Sequence, residues 1–300
     1  MSHRYAVIPA PSALGLRGDG VARAPEALLQ SGLADTLRAR VGPTVAAPLG
    51  DGRIHPRAGV LNAAAIAAYA RDLAAAIGDS LARDEFPLVL GGDCSILLGA
   101  MTALRKRGRS GLLFLDGHAD FYQPEAEPTG EAASMELGFV TGRGPELLAG
   151  DESLSPLVRD EDVIVVGFRD AELAAAEGSR PLPPTIKALD LTAVRSRGAG
   201  ETAKAVAEHL TADDGAEIFW IHFDVDVLDD AVMPAVDYRQ PDGLLWPELE
   251  QILDVALASG RAAGLEVTIF NPDLDPDGGI ARDLSNQLSR ILTARRPRAD

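Results

Sequence analysis

The architecture of this chain is decided by the stretch Leu112-Leu113-Phe114-Leu115-Asp116-Gly117-His118-Ala119-Asp120-Phe121. Its first four residues are apolar and predict a short buried strand. Asp116, His118 and Asp120 then follow at alternate positions, and alternate residues of an extended chain project to the same side. Carboxylate oxygens and an imidazole nitrogen are ligands that Mn²⁺ or Zn²⁺ accepts. The spacing therefore indicates either a metal site just past a strand end or a solvated polar loop.

A second stretch of the same kind favours the metal site. The apolar run Ile218-Phe219-Trp220-Ile221-His222-Phe223 leads into Asp224 and Asp226, which have the same two-residue spacing. Two strand ends that each deliver spaced carboxylates are difficult to explain as solvated surface.

Composition sets the broad class of the protein. The 300 residues are 46% apolar and 24% charged, which suits one large α/β domain with a buried core. The net charge of −17 argues against nucleic acid or an anionic membrane as a partner. The one cysteine, Cys94, excludes an internal disulfide framework and fits a reducing cytoplasm. We therefore expect a cytoplasmic protein.

Neither a signal peptide nor a membrane span is expected. Residues 1–10 lack a basic segment followed by a long apolar stretch. The longest apolar tract, at residues 63–77, carries Tyr69, Arg71 and Asp72, so it predicts a helix of a globular protein.

Strands and helices are predicted to alternate along the whole chain. Strands are expected near residues 5–8, 87–90, 112–115, 162–167, 218–223 and 262–270, with a further short strand near Val45. Helices are expected from residue 24, at 63–83, from 96 to about 106, and at 170–177, 200–210, 248–259 and 281–294. A long loop is expected at residues 121–144.

This alternation predicts a single domain over residues 1–300, with a three-layer α/β/α fold around a mostly parallel, doubly wound sheet. The polar clusters all follow the carboxyl ends of predicted strands. Open α/β sheets bind their ligands at that edge, so we expect one site there.

Three motifs in this order resemble the metal motifs of the arginase/agmatinase (ureohydrolase) family. They are Gly91-Gly92-Asp93-x-Ser95, Asp116-x-His118-x-Asp120 and Asp224-x-Asp226. Residues 8–33 are similar to the family's first strand and loop, and Asn271-Pro272 to the end of its last strand. The resemblance covers nearly the whole chain and implies the family's α/β/α fold.

The resemblance implies that the protein hydrolyses a C–N bond of a small guanidino or amidine compound at two Mn²⁺ ions. Carried over by position, Asp116 and Asp224 would bridge both ions. Cys94 and Asp120 would complete one site, and His118 and Asp226 the other. Two cations that share one water lower its pKa and supply a hydroxide for attack on the substrate carbon. Asp120 can then accept the remaining proton and transfer it to the leaving amine.

Cys94 departs from the family, which usually has a histidine ligand at this position. One interpretation is a small buried residue that leaves one ion weakly held. The other is a thiolate ligand, which we favour because the surrounding Gly-Gly-Asp-x-Ser frame is intact. A thiolate would make Zn²⁺ or Fe²⁺ more competitive with Mn²⁺ at that site.

The loop after Asp120 also departs from the family. Aligned through Thr129-Gly130, Ala133 stands where arginases have a catalytic histidine. Tyr122 stands where they have an asparagine that holds the substrate, so Tyr122 and Thr129 are candidate substrate-binding residues. Glu131 and Glu136 are candidate proton carriers, although two glutamates on a solvated loop also fit plain surface.

Three further positions bear on the substrate. Ile269 stands where the family has a guanidinium-binding glutamate, and strand alternation puts Glu266 on the opposite face. Asp170 and Glu172 resemble the acids that contact the substrate amine. His222, two residues before Asp224, is interpreted as a hydrogen-bonded neighbour of the metal site and not as a ligand.

Two other functions remain open at this point. A chain that kept one metal site would fit a single-Zn²⁺ amide hydrolase related to deacetylases. A metal-binding pseudoenzyme would fit the replaced histidine and glutamate. The resemblance also implies a homo-oligomer, either a trimer or a hexamer, and the apolar face of the helix near residues 284–292 is a candidate contact.

Overall fold

The computed structural model describes residues 4–148 and 155–294. Its centre is one eight-stranded sheet in which all neighbouring strands pair in parallel. The strands are β1 (Arg4–Ala10), β2 (Arg40–Val41), β3 (Glu85–Gly91), β4 (Ser110–Leu115), β5 (Val163–Val166), β6 (Lys187–Leu189), β7 (Ile218–Asp224) and β8 (Ala262–Thr268). Their order across the sheet is β2-β1-β3-β8-β7-β4-β5-β6. The predicted α/β class with a parallel, doubly wound sheet is confirmed.

Helices cover both faces of the sheet. They are α1 (Ala24–Gln30), α2 (Leu33–Leu37), α3 (Ala63–Leu81), α4 (Leu97–Arg105), α5 (Glu136–Gly138), α6 (Ala171–Ala176), α7 (Leu191–Arg197), α8 (Ala199–Leu210), α9 (Trp246–Ala258) and α10 (Gly279–Ala294). Helices α3, α4 and α5 pack on one face, and α1, α2 and α7 to α10 pack on the other. Helix α6 contributes no buried residue to either layer.

The central strands explain why the layers form. Every residue of β4 is buried; Leu113 and Leu115 contact one helical layer, whereas Leu112 and Phe114 contact the other. A strand covered on both faces needs a continuous apolar run instead of alternation, which is the pattern that its sequence shows.

Two details of the predicted elements were wrong. Val45 is not in a strand; the short edge strand is β2, and the Val45 backbone N–H donates to the Pro9 carbonyl outside any ladder. Residues 121–144 are not a plain loop, because a 3₁₀ turn at Ala132–Ser134, α5 and a π-helical turn at Phe139–Arg143 fold inside them. The sequence of this segment lacks the apolar periodicity of a long helix, so short turns escaped detection.

The sequence suggested that the apolar face of α10 is a contact surface between subunits, but this face is buried inside the chain. Leu284, Leu288 and Leu292 are buried within the chain, where α10 packs beside α1, α2 and α9. These three side chains are therefore not available for contacts between subunits. Among the described residues, no helix is both long and apolar enough to cross a membrane.

Candidate metal centre and cavity

Four neighbouring strands, β3, β8, β7 and β4, end close together at one edge of the sheet. The side chains that converge there are Cys94 after β3, Thr268 at the end of β8, Asp224 and Asp226 at the end of β7, and Asp116, His118 and Asp120 after β4. All are buried except His118, whose side chain is 22% exposed. Carboxyl ends of parallel strands share one edge, so residues more than 100 positions apart in sequence meet here.

Two tight turns hold the side chains after β4 and β7. Asp116 Oδ1 accepts the backbone N–H of His118 at 2.6 Å, and Asp224 Oδ1 accepts that of Asp226 at 2.8 Å. Such contacts to a residue two positions on are typical of Asx turns. Asp226 Oδ1 also accepts the Gly117 N–H at 3.0 Å, which ties the turns together. A Cβ at Gly117 would lie 2.7 Å from the Asp226 carbonyl oxygen, so glycine is required there.

The inner half of the cluster comprises Cys94, Asp116, Asp120, Asp224 and Glu136. Cys94 Sγ lies 2.8 Å from Asp224 Oδ2. One ligand-type atom each from Cys94, Asp116, Asp120 and Glu136 lies within 4.8 Å of the others. Glu136 is fully buried, and neither of its carboxylate oxygens has a hydrogen-bond donor among the described residues. Ligand-type oxygens and a sulfur buried together, with no donor to either Glu136 oxygen, form a site that a cation would stabilise.

The outer half comprises Asp116, His118 and Asp226. His118 Nδ1 lies 3.0 Å from Asp226 Oδ2 and 3.7 Å from Asp116 Oδ1. These three residues form a second group of ligand-type atoms within 4.8 Å of one another. Asp116 belongs to both halves, so its carboxylate lies between two candidate ion positions.

His222 gives a third group with Cys94, Asp116 and Asp224. Its Nδ1 lies 2.7 Å from Glu266 Oε1, which agrees with the expected hydrogen-bonded histidine. Its Nε2 has no hydrogen-bond partner among the described residues and lies 3.7 Å from Asp116 Oδ2. The expectation from sequence therefore accounts for only one of the two ring nitrogens.

The buried acids of the inner half resist ionisation when no cation is present. Burial raises the pKa values of the Asp120, Glu136 and Asp224 carboxyls well above their ordinary range, and neighbouring carboxylates raise those of Asp120 and Asp224 further. Burial and then Asp224 likewise raise the pKa of the Cys94 thiol. A divalent cation stabilises carboxylate and thiolate forms, so it would displace these protons.

The two imidazoles are shifted toward their charged form. Burial lowers the pKa of His118 and His222, but Asp226 and Asp116 outweigh it for His118, and Asp116 and Glu266 outweigh it for His222. The two imidazoles in turn hold the pKa of Asp116 below its usual range despite the opposing effect of burial. The cluster contains more acids than two imidazoles neutralise, which fits a site for divalent cations.

A cavity of about 520 Å³ opens above the cluster. It is lined by Leu16, His118, Asp120, Tyr122, Ala126, Glu127, Pro128, Thr129, Glu131, Ala133, Ser134, Leu173, Glu177, Asp224, Asp226, Tyr238 and Ile269. Asp120, Asp224 and Asp226 form its floor, and residues of the loops and of α6 form its wall. The volume suits a small molecule.

Two phenol–carboxylate pairs mark the wall. The Tyr238 hydroxyl donates to Glu131 Oε2 at 2.9 Å, and the Tyr122 hydroxyl donates to Glu177 Oε2 at 2.7 Å. Burial raises the pKa of both phenols, and the neighbouring glutamates raise it further, so both hydroxyls stay protonated. Within the described part of the chain, Glu127, Glu131 and Glu177 form no ion pair, and no Lys or Arg lines the cavity. The wall is therefore acidic.

The structure brings together most of the site residues suggested by the sequence. Tyr122, Thr129 and Glu131 line the cavity, and Glu136 lies beneath it. Glu131 is 6% exposed and Glu136 is 0% exposed, so the alternative of two surface glutamates is wrong. The remaining departures from the family pattern, Ala133 and Ile269, also line the cavity.

Asp170 and Glu172 are not on the cavity wall. Asp170 Oδ1 accepts the Ala119 N–H at 3.0 Å, and Asp170 lines a smaller neighbouring cavity of about 260 Å³. Glu172 is exposed on α6 and is not among the residues that line the cavity. The role of these two residues in substrate binding stays a prediction.

Sequence reasoning missed Glu177, Tyr238, Leu173 and Glu127. None of them follows a strand end or carries a spacing signal. Tyr238 reaches the cavity because Arg169 donates to the Gln240 and Pro241 carbonyls and so holds the loop in place. No pattern in the local sequence could have revealed a contact of that range.

Comparisons with known proteins identify the family and the fold. The Arginase family model matches residues 3–293. The arginase of Staphylococcus aureus (strain COL) is 28% identical over 287 residues, which cover 92% of both chains. The arginase of Bacillus caldovelox superposes with a TM-score of 0.85 at 24% identity, over 97% of this chain and 98% of that one. A hypothetical agmatinase from Burkholderia thailandensis superposes with a TM-score of 0.70 at 19% identity, over 98% and 86%.

Proposed function

This chain belongs to the arginase family, the binuclear metal amidinohydrolases that act on C–N bonds, and we propose that its substrate is a small cationic guanidino or amidine compound. The observation that carries the proposal is the buried cluster on the cavity floor. Its overlapping groups of ligand-type atoms share Asp116, which suits two neighbouring ions better than one. A single-Zn²⁺ amide hydrolase would not need a second group.

The residues present fit a pair of divalent ions. We assign Asp116 and Asp224 to both ions, Cys94 and Asp120 to the inner one, and His118 and Asp226 to the outer one. Asp116 Oδ2 is buried without a donor among the described residues, as expected of a ligand oxygen. The carboxylate-rich outer half suits Mn²⁺, whereas the thiolate makes Zn²⁺ or Fe²⁺ competitive in the inner half.

When bound, two divalent ions supply Lewis acidity and lower the pKa of a shared water. Acidic side chains of the chain would accept and donate the protons. Asp120 faces both the cluster and the cavity, and the buried Glu136 lies beside it, so together they provide a place for a proton on its way to the leaving amine. Glu131 has a different task, because its oxygens already accept from the Arg17 N–H and the Tyr238 hydroxyl.

The wall supports a cationic substrate. Glu127, Glu131 and Glu177 carry negative charge without paired cations, and the apolar Leu16, Leu173 and Ile269 would contact the hydrocarbon part of a ligand. We propose Tyr122, Thr129, Glu131 and Glu177 as substrate-binding residues. Asp170 is proposed to support the turn at Ala119, and Glu177 is proposed to bind substrate in place of Glu172.

The proposal also covers the oligomeric state, the cellular location and the partners of the protein. A symmetric homo-oligomer, a trimer or hexamer, is proposed from the family resemblance. A cytoplasmic location is proposed because Cys94 is a free buried thiol, which a reducing compartment preserves. The net charge of −17 supports the absence of nucleic-acid and membrane partners.

The test is activity of the metal-stripped protein after loading with Mn²⁺, Zn²⁺ or Fe²⁺. The panel contains guanidines, amidines and acylated amines of matched size. We expect turnover of cationic guanidines or amidines with two ions bound per chain. One ion with hydrolysis of acylated amines alone would establish the amide hydrolase instead, and two ions with no turnover would establish a binding protein.

A further inference from the structure

His222 occupies a fixed position beside the inner half of the cluster. It lies in β7 two residues before Asp224, so both side chains are on the same face. It pairs in register with Glu266 of β8 and with Phe114 of β4. Its ring is fully buried and stacks on the Phe114 ring with centroids 4.5 Å apart and planes at 15°. Packing therefore fixes the direction of both ring nitrogens.

The two ring nitrogens of His222 have different surroundings. Nδ1 lies 2.7 Å from Glu266 Oε1, and since a carboxylate accepts, Nδ1 is the nitrogen that donates. Nε2 is buried and has no hydrogen-bond partner among residues 4–148 and 155–294. A histidine that donates from one nitrogen to a carboxylate and directs the other at a cluster of acids is the arrangement of a metal-binding histidine.

The space in front of Nε2 suits an ion. One ring nitrogen of His222 lies within 4.8 Å of Cys94 Sγ and of one oxygen each from Asp116 and Asp224, and we assign it as Nε2 because Nδ1 faces Glu266. Its distance to Asp116 Oδ2 is 3.7 Å, too long for a hydrogen bond, and that oxygen also has no donor within the described ranges. Two ligand atoms about 2.1 Å from one ion at a tetrahedral angle are separated by about 3.4 Å. Both atoms can therefore reach one ion with little movement.

We propose that His222 Nε2 is a ligand of the inner ion, together with Cys94 Sγ, Asp116 and Asp224. The inference rests on the proposed function, since it assigns a ligand to one of the two ions. It corrects the interpretation of His222 from sequence as a neighbour of the site only. One nitrogen, one sulfur and two oxygens form a four-atom set that suits Zn²⁺ better than Mn²⁺. The inner and outer halves then prefer different metals.

The same set changes the role of Asp120. With four donors already supplied, the inner ion does not need the Asp120 carboxylate, which lines the cavity beside Glu136. Asp120 is then free to hold a proton next to the substrate.

The rival explanation is an imidazolium that forms ion pairs with Asp116 and Glu266 and binds no metal. Cobalt distinguishes the two, because a Co²⁺–thiolate charge-transfer band reports the ion at Cys94, and its visible bands report the rest of that ion's ligands. The full chain is stripped with a chelator and titrated with Co²⁺. The test variant is the pair His222→Phe with Glu266→Leu, which removes the nitrogen ligand and leaves no buried carboxylate unpaired.

We expect the pair of substitutions to weaken binding of the ion that gives the thiolate band by at least about tenfold and to shift its visible bands. Binding of the second ion should change little. The matched control is Ile221→Val, a buried substitution on the opposite face of β7, which should leave both ions unaffected. Equal affinity for the thiolate-bound ion and an unchanged spectrum in the test variant would overturn the proposal.

A second measurement needs no variant. The chain has five histidines, and wild-type protein labelled with ¹⁵N-histidine and loaded with ¹¹³Cd²⁺ should show two imidazoles coupled to cadmium, those of His118 and His222. Two bound ions with only His118 coupled would overturn the role of His222 and leave the proposed function intact. A wild-type chain that binds no ion would overturn both.

Discussion

The floor and the wall of the cavity are built by different parts of the chain. The floor residues follow directly on strands β3, β4, β7 and β8, whose positions are fixed by a sheet buried on both faces. The wall comes from residues 122–134, the loop that carries Tyr238, and α6, a helix with no buried residue. The difference indicates that the sheet determines the metal chemistry, whereas the surrounding loops determine which molecule reaches it.

The largest effect should come from removing a carboxylate shared by both ions. Asp116→Asn should abolish binding of both ions and lower kcat by at least about a thousandfold, because no pair of cations remains to act on water. In wild type, saturating Mn²⁺ at about 1,000 times Kd should add about 4 kcal/mol to the free energy of unfolding, and a chelator should remove it.

Thermal melts with and without chelator check this prediction. The Asp116→Asn protein should show one Tm in both conditions. Asp162→Asn is a matched control, since Asp162 is a buried carboxylate that pairs with Arg109 just before β5, at the opposite end of the strands from the cluster. Full metal content in Asp116→Asn would show that this carboxylate does not bridge the two sites.

The next largest effect should distinguish the inner half of the cluster from the outer half. In metal-loaded protein the Cys94 thiol should resist alkylation, and in stripped protein it should react slowly after local opening, because it is 1% exposed. Cys94→His should raise the affinity for Mn²⁺ relative to Zn²⁺, and Cys94→Ser should lose mainly the inner ion. Metal analysis after competition between Mn²⁺ and Zn²⁺ measures both. An unchanged metal preference in all three proteins would mean that Cys94 serves only in packing.

Substitutions in the wall should change KM and leave the metal content unchanged. Glu131→Gln removes a negative charge from the cavity and should raise KM for a cationic substrate about tenfold, with both ions retained. Tyr238→Phe deletes only the phenol that donates to Glu131, so a rise of about two- to fivefold is expected. Tyr122→Phe is the matched change, because it deletes the phenol that donates to Glu177. A loss of bound metal in any of these proteins would contradict the separation of wall from floor.

The smallest effect concerns His209, which lies on α8 away from both regions. Burial lowers its pKa, so the folded chain binds this proton less readily than the unfolded chain does. The contribution of His209 to the free energy of unfolding is fully present above its unfolded pKa of about 6.5. It is lost as the pH falls toward the lower pKa of the folded chain. Between about pH 7 and pH 5 the free energy of unfolding should therefore fall less in His209→Gln than in wild type. Urea denaturation of both proteins at several pH values tests this, and identical pH profiles would contradict it.

The same difference between floor and wall decides what the sequence could predict. The floor was predictable because Asp116, His118 and Asp120 repeat at the period of an extended chain immediately after an apolar strand. His222 lies on the same period before Asp224, but its role depends on Glu266, 44 residues further on, and no local signal reveals that pair.

The wall was predictable only in part, through the family resemblance at Tyr122, Thr129 and Glu131, because its geometry depends on long-range contacts. Glu131 is positioned by the backbone N–H of Arg17, 114 residues earlier in the chain. Glu136 lies under the floor because the Leu137 N–H donates to the Asp120 carbonyl and folds α5 back beneath it. Loops of this kind follow tertiary contacts more than local propensity.

We propose above all that the floor of the cavity holds two ions that share Asp116. Anomalous diffraction from crystals loaded with Mn²⁺ and Zn²⁺, recorded at both absorption edges, tests it most directly. We expect two peaks about 3.5–4 Å apart on either side of the Asp116 carboxylate, with zinc enriched at the peak next to Cys94. A single peak, or two peaks that do not share Asp116, would contradict it.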